Sequence, residues 1–234
     1  MRAAARHLLL LLSLTPATAA AASLTVAPTR VELGAADPVA VVTLQNNAAE
    51  PVMVQVQTFA WPRGPDMLVL EPTRELIAVP PVFEVAGNGR QVIRVAQRGP
   101  ITGEREQAYR LLITEVPQGP ARATGIRFAL RLSLPVFVTP DGAAPRAVWS
   151  LRDAGRGREL ILRNEGSAHL QVRRIVLRPK DRAKPAVTIE MPAYVLAGHE
   201  HSWPLPLAAA AAPLDLVAET SIGTLPADLA APHG

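Results

Sequence analysis

Histidine and cysteine, two side chains that commonly carry catalysis or hold metals, are scarce in this chain of 234 residues, which has five histidines and no cysteine. The sequence contains neither a G-x-S-x-G nucleophile motif nor a glycine-rich phosphate-binding loop. His199 and His201 would share one face of a strand, but two imidazoles without a third ligand make a poor metal site. We therefore predict no enzymatic activity, no metal, no cofactor and no small-molecule substrate.

Arginine is the abundant charged side chain, and its distribution bears on the partners that the protein could bind. The net charge is +4 and the isoelectric point is about 10.3. The arginines are scattered, and no basic stripe alternates with aromatic residues as it does on nucleic-acid-binding surfaces. We predict no nucleic-acid partner and place most of these arginines on solvated strand faces.

Residues 126–134 alternate with a strict period of two, which is typical of a β-strand. The apolar face could line the core of its own domain, or the strand could be an edge that offers these side chains to a partner. Proteins normally cover or blunt a long apolar edge. A bare one would serve strand addition, in which main-chain hydrogen bonds supply affinity and alternate side chains enter pockets. The apolar face carries Ile126, Phe128, Leu130, Leu132 and Leu134, and the opposite face carries Arg127, Ala129, Arg131 and Ser133.

The first 22 residues predict export. Arg2 and Arg6 precede a short leucine run, and small residues from Thr15 to Ala22 follow it. This is the order of a cleaved secretory signal peptide, and the run falls short of the roughly 20 apolar residues that span a bilayer. Because the chain lacks cysteine, we expect neither a lipid anchor at the cleavage site nor a disulfide framework.

The rest of the chain consists of short alternating segments separated by proline, glycine, asparagine and aspartate, which predicts strands. The strongest turn cluster, Thr139–Gly142, falls near the centre of the chain. We place a domain boundary there and predict an all-β protein with two immunoglobulin-like β-sandwich domains in tandem, residues 23–140 and 141–234. Two such domains favour binding over catalysis, although fold alone does not decide function.

Several segments of the chain occur in a characteristic order, and they are Pro28–Arg30, Ile77–Phe83, Gln91–Val95, Glu104–Pro117, Ile126–Pro140 and, more weakly, Arg163–Gly166 with Tyr194–Gly198. This order resembles that of the periplasmic chaperones of pilus assembly. No single segment is specific, but the order and the spacing together are. The end of the long strand, Ser133–Pro140, is similar to the branch of that family that serves spore-coat-like pili.

The resemblance implies a periplasmic protein that stabilises pilus subunits by donor-strand complementation. In this process the chaperone lends a strand to a subunit whose immunoglobulin-like fold lacks its own last strand. The resemblance also implies delivery to an outer-membrane usher, and it leaves open whether the free protein associates with itself to hide that strand. The implied donor side chains are Ile126, Phe128, Leu130 and Leu132.

A basic anchor for the C-terminal carboxylate of the subunit, in the cleft between the domains, is also implied. Arg30 matches the arginine of the family's anchoring pair. Pro135 stands where relatives carry a lysine, so Arg94 and Arg131 are the candidates for the second charge. Arg94 could equally belong to a structural ion pair, and Arg131 could be a solvated side chain.

An ionic link between the domains is the last feature that the resemblance implies. Glu106 matches the acidic member of that link. Thr139 stands where the arginine partner is expected, so the sequence leaves the partner of Glu106 unidentified.

The alternative function is a secreted two-domain protein that is itself a structural or adhesive component of a pilus. Such a subunit should carry an N-terminal extension of alternating residues. Here the first strand is short and begins almost at the cleavage site, which favours the chaperone.

Overall fold

The structure, a computed structural model, describes residues 24–61, 70–117, 129–155, 157–180, 185–205 and 214–229. Within these ranges all regular secondary structure is β, in eighteen strands that form four sheets. The prediction of an all-β protein with two immunoglobulin-like sandwiches is therefore confirmed. None of the described residues forms a helix with the length and apolar character needed to cross a membrane.

The first sandwich consists of ten strands: β1 (Leu24–Ala27), β2 (Val31–Leu33), β3 (Val39–Asn46), β4 (Val52–Ala60), β5 (Glu71–Pro72), β6 (Leu76–Val79), β7 (Val82–Val85), β8 (Arg90–Gln97), β9 (Gln107–Val116) and β10 (Arg131–Val138). One of its sheets has the order β1-β3-β8-β6 and the other has the order β2-β10-β9-β4-β5, with β7 beside β4. Alternate residues of these strands face inward, and burying them supplies the main driving force for the folding of this domain. The fully buried side chains of this core include Val42, Leu44, Ile93, Leu111 and Val136.

The second sandwich consists of the strands β11 (Ala147–Asp153), β12 (Arg158–Asn164), β13 (Leu170–Pro179), β14 (Val187–Ile189), β15 (Ala193–Val195), β16 (Glu200–Leu205), β17 (Leu214–Thr220) and β18 (Gly223–Leu229). A sheet in the order β11-β12-β16 packs against one in the order β14-β13-β17-β18, with β15 beside β13. The fully buried side chains of Trp203, Leu160 and Leu162 belong to the core between them. The domain boundary that the sequence places after Pro140 stays a prediction.

A fully buried asparagine ends a strand in each sandwich, Asn46 in β3 and Asn164 in β12. The side-chain amide of Asn164 donates hydrogen bonds to the carbonyls of Ala168 and Val195 at 2.7 and 2.9 Å. Its side-chain oxygen accepts from two main-chain amides at 3.0 and 3.1 Å. Asn46 bonds to main-chain groups in the same way. These buried carboxamides tie the turn after each strand to the body of the domain, because a buried polar group is costly without partners.

Candidate functional site

Strand β10 is paired on both sides along only part of its length. Strand β9 pairs with it antiparallel from Arg131 to Val138. Strand β2 lies parallel on the other side but pairs only with Val136–Val138. Within the described residues no strand lies on that side of residues 131–135, so this part of β10 is a sheet edge.

The direction of the main-chain groups along this edge follows from one hydrogen bond. The amide of Glu115 in β9 donates to the carbonyl of Leu130 at 2.8 Å. Because successive residues of a strand point their amide and carbonyl groups to opposite sides, those of Leu132 also face β9, whereas those of Ser133 face the open side. Pro135 belongs to the same outward set as Ser133. Its missing amide therefore costs no bond to β9, which is how proline is accommodated on an edge strand.

The side chains that flank the open edge are only partly covered. Leu130 and Leu132 pack against the first core and keep part of their surface exposed, whereas Leu134 is 3% exposed. Arg131 and Ser133 project into solvent from the opposite face. Ile126 and Phe128, the other two predicted donors, lie outside the described residues.

The alternation of burial stops after Leu134, and every residue from there to Val138 is buried. The cause is the second domain, which covers the outer face of this sheet around Phe137. Phe137 packs with Trp61 and with Leu196 of the second domain. The imidazole of His169, also from the second domain, stacks on the Phe137 ring at 3.5 Å between centroids and 9° between planes. The open edge therefore ends at an aromatic corner where the two domains meet.

Glu106 lies in this corner and is 4% exposed. The hydroxyl of Thr139 donates to its Oε2 atom at 2.8 Å. From the second domain, the main-chain amide of His169 donates to Oε1 at 2.9 Å, and the ring atom Nδ1 lies 2.9 Å from Oε2. Thr139, which stands where the resemblance led us to expect an arginine, thus contacts Glu106 through a hydrogen bond. Nothing local in the sequence indicates that His169 contacts Glu106.

Arg30 immediately precedes β2 and so lies where the open edge of β10 ends. Its side chain is 30% exposed; Nε lies 2.8 Å from Oε1 of Glu32. Its Nη1 atom donates to Oε1 of Gln171 in the second domain at 3.1 Å. Arg30 lines a cleft of about 490 Å³ between the domains, together with Glu106, His169 and residues of the 33–37 turn.

The other two arginines proposed as anchors lie elsewhere. Arg94 is exposed in β8, on the sheet that does not contain β10, and its register partners are Val41 and Val79. The side chain of Arg94 points outward, and the structure does not bring it together with Arg30. Arg131 is exposed at the far end of the open edge.

Arg110, in β9, is a residue that the sequence reasoning missed. Its guanidinium carbon lies 3.5 Å from the centroid of a Trp61 ring, a cation–π contact. Burial lowers the pKa of Arg110, because desolvation disfavours the charged form, and nearby Tyr194 opposes this effect. The alternation of β9 could have placed Arg110 on the outer face, but nothing local indicates its proximity to Trp61.

The remaining histidines form no metal site among the described residues, where no three histidine, cysteine, aspartate or glutamate side chains cluster. The Nδ1 atom of His199 lies 3.1 Å from the carbonyl of Ala197. His201 packs edge-on against Trp203, and burial lowers its pKa. Both histidines therefore make contacts with residues of the second domain itself.

Comparison with known proteins identifies the family. The family model for pili and flagellar-assembly chaperones, PapD N-terminal domain, matches residues 23–144, just over half of the chain. The chain belongs to this chaperone family. The predicted resemblance is confirmed, and the family does not favour the alternative of a structural or adhesive pilus component. By sequence, no curated protein matches the chaperone significantly.

Solved structures share the fold over nearly the whole chaperone. One is the CsuC–CsuE chaperone–tip adhesion subunit pre-assembly complex from archaic chaperone-usher Csu pili of Acinetobacter baumannii. The sequence identity is 20%, the match covers 91% of this chain and 100% of that chain, and the TM-score is 0.68. The E. coli chaperone DraB has 19% identity, coverages of 89% and 97%, and a TM-score of 0.62. The complex of the Salmonella enterica SafA pilin with the SafB chaperone has 17% identity, coverages of 88% and 96%, and a TM-score of 0.63.

Proposed function

We propose that this protein is a periplasmic chaperone that captures pilus subunits by donor-strand complementation and delivers them to an outer-membrane usher. The observation that carries the proposal is the unpaired edge of β10 at residues 131–135, flanked by the partly exposed Leu130 and Leu132. A subunit that lacks its last strand exposes a complementary edge and an apolar groove. Such surfaces aggregate unless something covers them.

The energy of capture would come from two sources. The outward amide and carbonyl groups of Arg131 and Ser133 supply main-chain hydrogen bonds, each worth about 0.5–1.5 kcal/mol net. Each large apolar side chain that the groove covers completely adds up to about 1.5–3 kcal/mol. We propose Ile126, Phe128, Leu130 and Leu132 as the donors, the last two contributing less because they are already partly buried.

Two solved structures that share this fold support a protein partner of this kind. The CsuC–CsuE and SafA–SafB structures each contain a chaperone with a pilus subunit or pilin. By analogy, residues 23–140 would form the subunit-binding domain and 141–234 the second domain. Residues 1–22 would be the cleaved signal peptide that directs export to the periplasm. Covering an edge requires no catalysis, which agrees with the prediction that the protein is not an enzyme.

Two charged residues complete the proposed site. Arg30 lies where an added strand would meet β2, and we propose that it anchors the subunit's C-terminal carboxylate. Glu106 accepts hydrogen bonds from Thr139 and from His169 of the second domain. We propose that it links the two domains and so fixes their relative position at the aromatic corner.

A proline scan of the open edge tests the proposal. Ser133→Pro removes an outward amide without removing a bond to β9, as Pro135 already does in the native chain. Ser133→Ala keeps the amide and serves as the matched control. Each variant is produced with the secreted pilus subunit encoded nearest to the chaperone's gene, and the periplasmic amount of that subunit is measured.

We expect the native protein and Ser133→Ala to protect the subunit and Ser133→Pro to lose most of that protection, all three with similar melting temperatures. Equal protection by Ser133→Pro would contradict the use of this edge. Failure of the native protein to protect the subunit would contradict the proposed function itself.

A further inference from the structure

We infer that strand β11 of the second domain is a self-association surface, on which a second copy of the chaperone pairs edge to edge about a two-fold axis. This surface is separate from the open edge of β10, and the inference does not depend on subunit capture. Strand β11 is the outer strand of the β11-β12-β16 sheet, and among the described residues no strand pairs with its other side. An edge of this length is a ready template for a further strand.

The main-chain groups on the open side of β11 belong to alternate residues. The carbonyl of Arg146 accepts a hydrogen bond from the amide of Glu165 at 2.8 Å, and the amide of Ala154 donates to the carbonyl of Gly157 at 2.9 Å. Even-numbered residues of this strand therefore direct their main-chain groups toward β12. The residues that direct an amide and a carbonyl to the open side are Ala147, Trp149, Leu151 and Asp153.

The other long edge strands of this domain are blunted by proline. In β16 the carbonyl of His199 accepts from β12, so the odd-numbered residues face β12 and Pro204 faces the open side. In β17 the amide of Ser221 donates to β13, so the odd-numbered residues face β13. Val217 is one of them, and its register partner Pro226 in β18 therefore faces the open side as well. A proline in this position hinders the addition of a further strand, and β11 contains none.

One antiparallel register between two copies uses every outward group of β11. It places Ser150 opposite Ser150 of the second copy on the two-fold axis, Trp149 opposite Leu151, and Ala147 opposite Asp153. Each pair of outward residues exchanges two main-chain hydrogen bonds, and the two three-stranded sheets become one continuous sheet. The interface is isologous, because each copy contributes the same residues.

The side chains of β11 favour a second copy over an unrelated strand. Trp149 and Leu151 point toward the second core but are only partly buried there. In this register Trp149 of each copy packs against Leu151 of the other, so pairing covers apolar surface that both residues leave exposed. Cross-strand contacts between side chains stabilise paired strands. The edge is therefore complementary to itself.

The charges of β11 do not oppose this pairing. Arg152 is directed back across its own sheet, with Nη2 2.9 Å from Oε2 of Glu159 in β12 and Nη1 3.4 Å from Oε1 of Glu200 in β16. Charged side chains usually protect an edge, but these contacts balance the guanidinium within its own copy. At the two ends of the strand, Arg146 and Asp153 are exposed and opposite in sign. The antiparallel register brings Arg146 of one copy next to Asp153 of the other.

The test places charges at Ser150, whose exposed side chain would lie beside its own counterpart on the two-fold axis. Sedimentation equilibrium of the purified chaperone over a range of concentrations gives the dissociation constant of the dimer. It is measured for the native protein, Ser150→Lys, Ser150→Glu and an equal mixture of these two variants. Ser133→Lys, which changes an exposed serine on the open edge of β10, is the matched control.

We expect the native protein and Ser133→Lys to dimerise with the same dissociation constant. Each Ser150 variant alone should dimerise about tenfold or more weakly, because like charges meet at the axis. Their mixture should regain at least the native affinity, because the charges are then opposite, and this recovery also shows that both variants fold. A native protein that stays monomeric, or single variants that dimerise as the native protein does, would overturn the inference. Dissociation by Ser133→Lys alone would overturn it too, because it would place the contact on β10.

A single introduced cysteine provides a second measurement. The native chain has no cysteine, so Ser150→Cys can form a disulfide only with the same residue of another copy. The Cα atoms of a non-hydrogen-bonded antiparallel pair lie about 4.5 Å apart, a distance that a disulfide can span. On mild oxidation we expect Ser150→Cys to form covalent dimers much faster than Ser202→Cys, which places the thiol in β16 at the other edge of the same sheet. Equal rates for the two variants would contradict pairing through β11.

Discussion

His169 of the second domain contacts the buried carboxylate of Glu106 in the first, with its ring Nδ1 atom 2.9 Å from Oε2. The main-chain amide of His169 donates to the other carboxylate oxygen at 2.9 Å. The same imidazole stacks on Phe137 at the end of β10. One pair of residues thus connects the domain interface to the strand that we propose as the donor.

Replacing Glu106 should weaken this connection. Glu106→Ala leaves the Thr139 hydroxyl and the His169 amide without their acceptor. We expect a loss of about 1–3 kcal/mol in the free energy of unfolding for each buried group that stays unpaired. Denaturant unfolding gives the value. Glu106→Gln, which keeps an acceptor oxygen, should lose less. Equal stability of Glu106→Ala and the native protein would contradict a stabilising link.

The two buried asparagines should be more important for stability than their exposed neighbours. Asn164→Ala deprives two carbonyls and two amides of a partner, so we expect a loss of at least about 1–3 kcal/mol in the free energy of unfolding. Asn47→Ala, at an exposed position, should change stability by less than about 0.5 kcal/mol. Comparable losses for the two variants would show that the buried hydrogen bonds contribute nothing specific.

His201 should make the chaperone less stable in mild acid. Because burial lowers its pKa in the folded state below the unfolded value of about 6.5, the unfolded chain binds the proton first. Above a pH of about 6.5 the His201 ring is neutral in both the folded and the unfolded state, so it has no effect on stability. As the pH falls below that value, the unfolded chain binds a proton more readily than the folded protein, and the free energy of unfolding decreases. His201→Phe keeps a ring beside Trp203 without a titrating group. Unfolding between pH 8 and pH 5 should show a smaller loss for this variant, and parallel curves for both proteins would contradict the assignment.

Two neighbouring leucines of the same face should separate capture from folding. Leu132→Ala removes a side chain that is already partly buried in the free protein, so we expect subunit affinity to fall by up to roughly 10-fold, which corresponds to about 1.4 kcal/mol and is less than the full burial of a leucine contributes. Leu134→Ala instead creates a cavity in the first core and should cost about 2–5 kcal/mol of stability. Calorimetric unfolding and subunit capture, measured on both variants, distinguish the two effects. A Leu132→Ala protein with native affinity would remove this residue from the donor set.

Where apolar and polar residues alternate with a period of two, the sequence correctly predicts a strand and which of its faces points into the core. Alternation places Leu130, Leu132 and Leu134 on one face and Arg131 and Ser133 on the other, as in the structure. It cannot tell an edge from a central strand, since that depends on where β2 stops pairing with β10. This is a tertiary property that no local pattern encodes.

The interdomain corner was the part least accessible from the sequence. Phe137 falls on the face that alternation assigns to solvent, but the second domain buries it. Trp61 and Arg110 are distant in sequence and become neighbours only through the β4–β9 pairing. His169 likewise acquires its partner from another domain. These contacts arise from the pairing of distant strands and from the packing of one domain against the other, which neither hydrophobic periodicity nor strand propensity predicts.

Residue-resolved amide hydrogen exchange, measured by NMR on the free chaperone and on its complex with a subunit, tests the open edge most directly. In the free protein, at concentrations low enough to keep it monomeric, the amides of Arg131 and Ser133 should exchange fast, whereas those of Leu132 and Leu134 should be protected by β9. In the complex, Arg131 and Ser133 should become protected as well. Protection of these two amides in the free monomer, or continued fast exchange in the complex, would contradict the proposal that this edge completes the subunit's sheet.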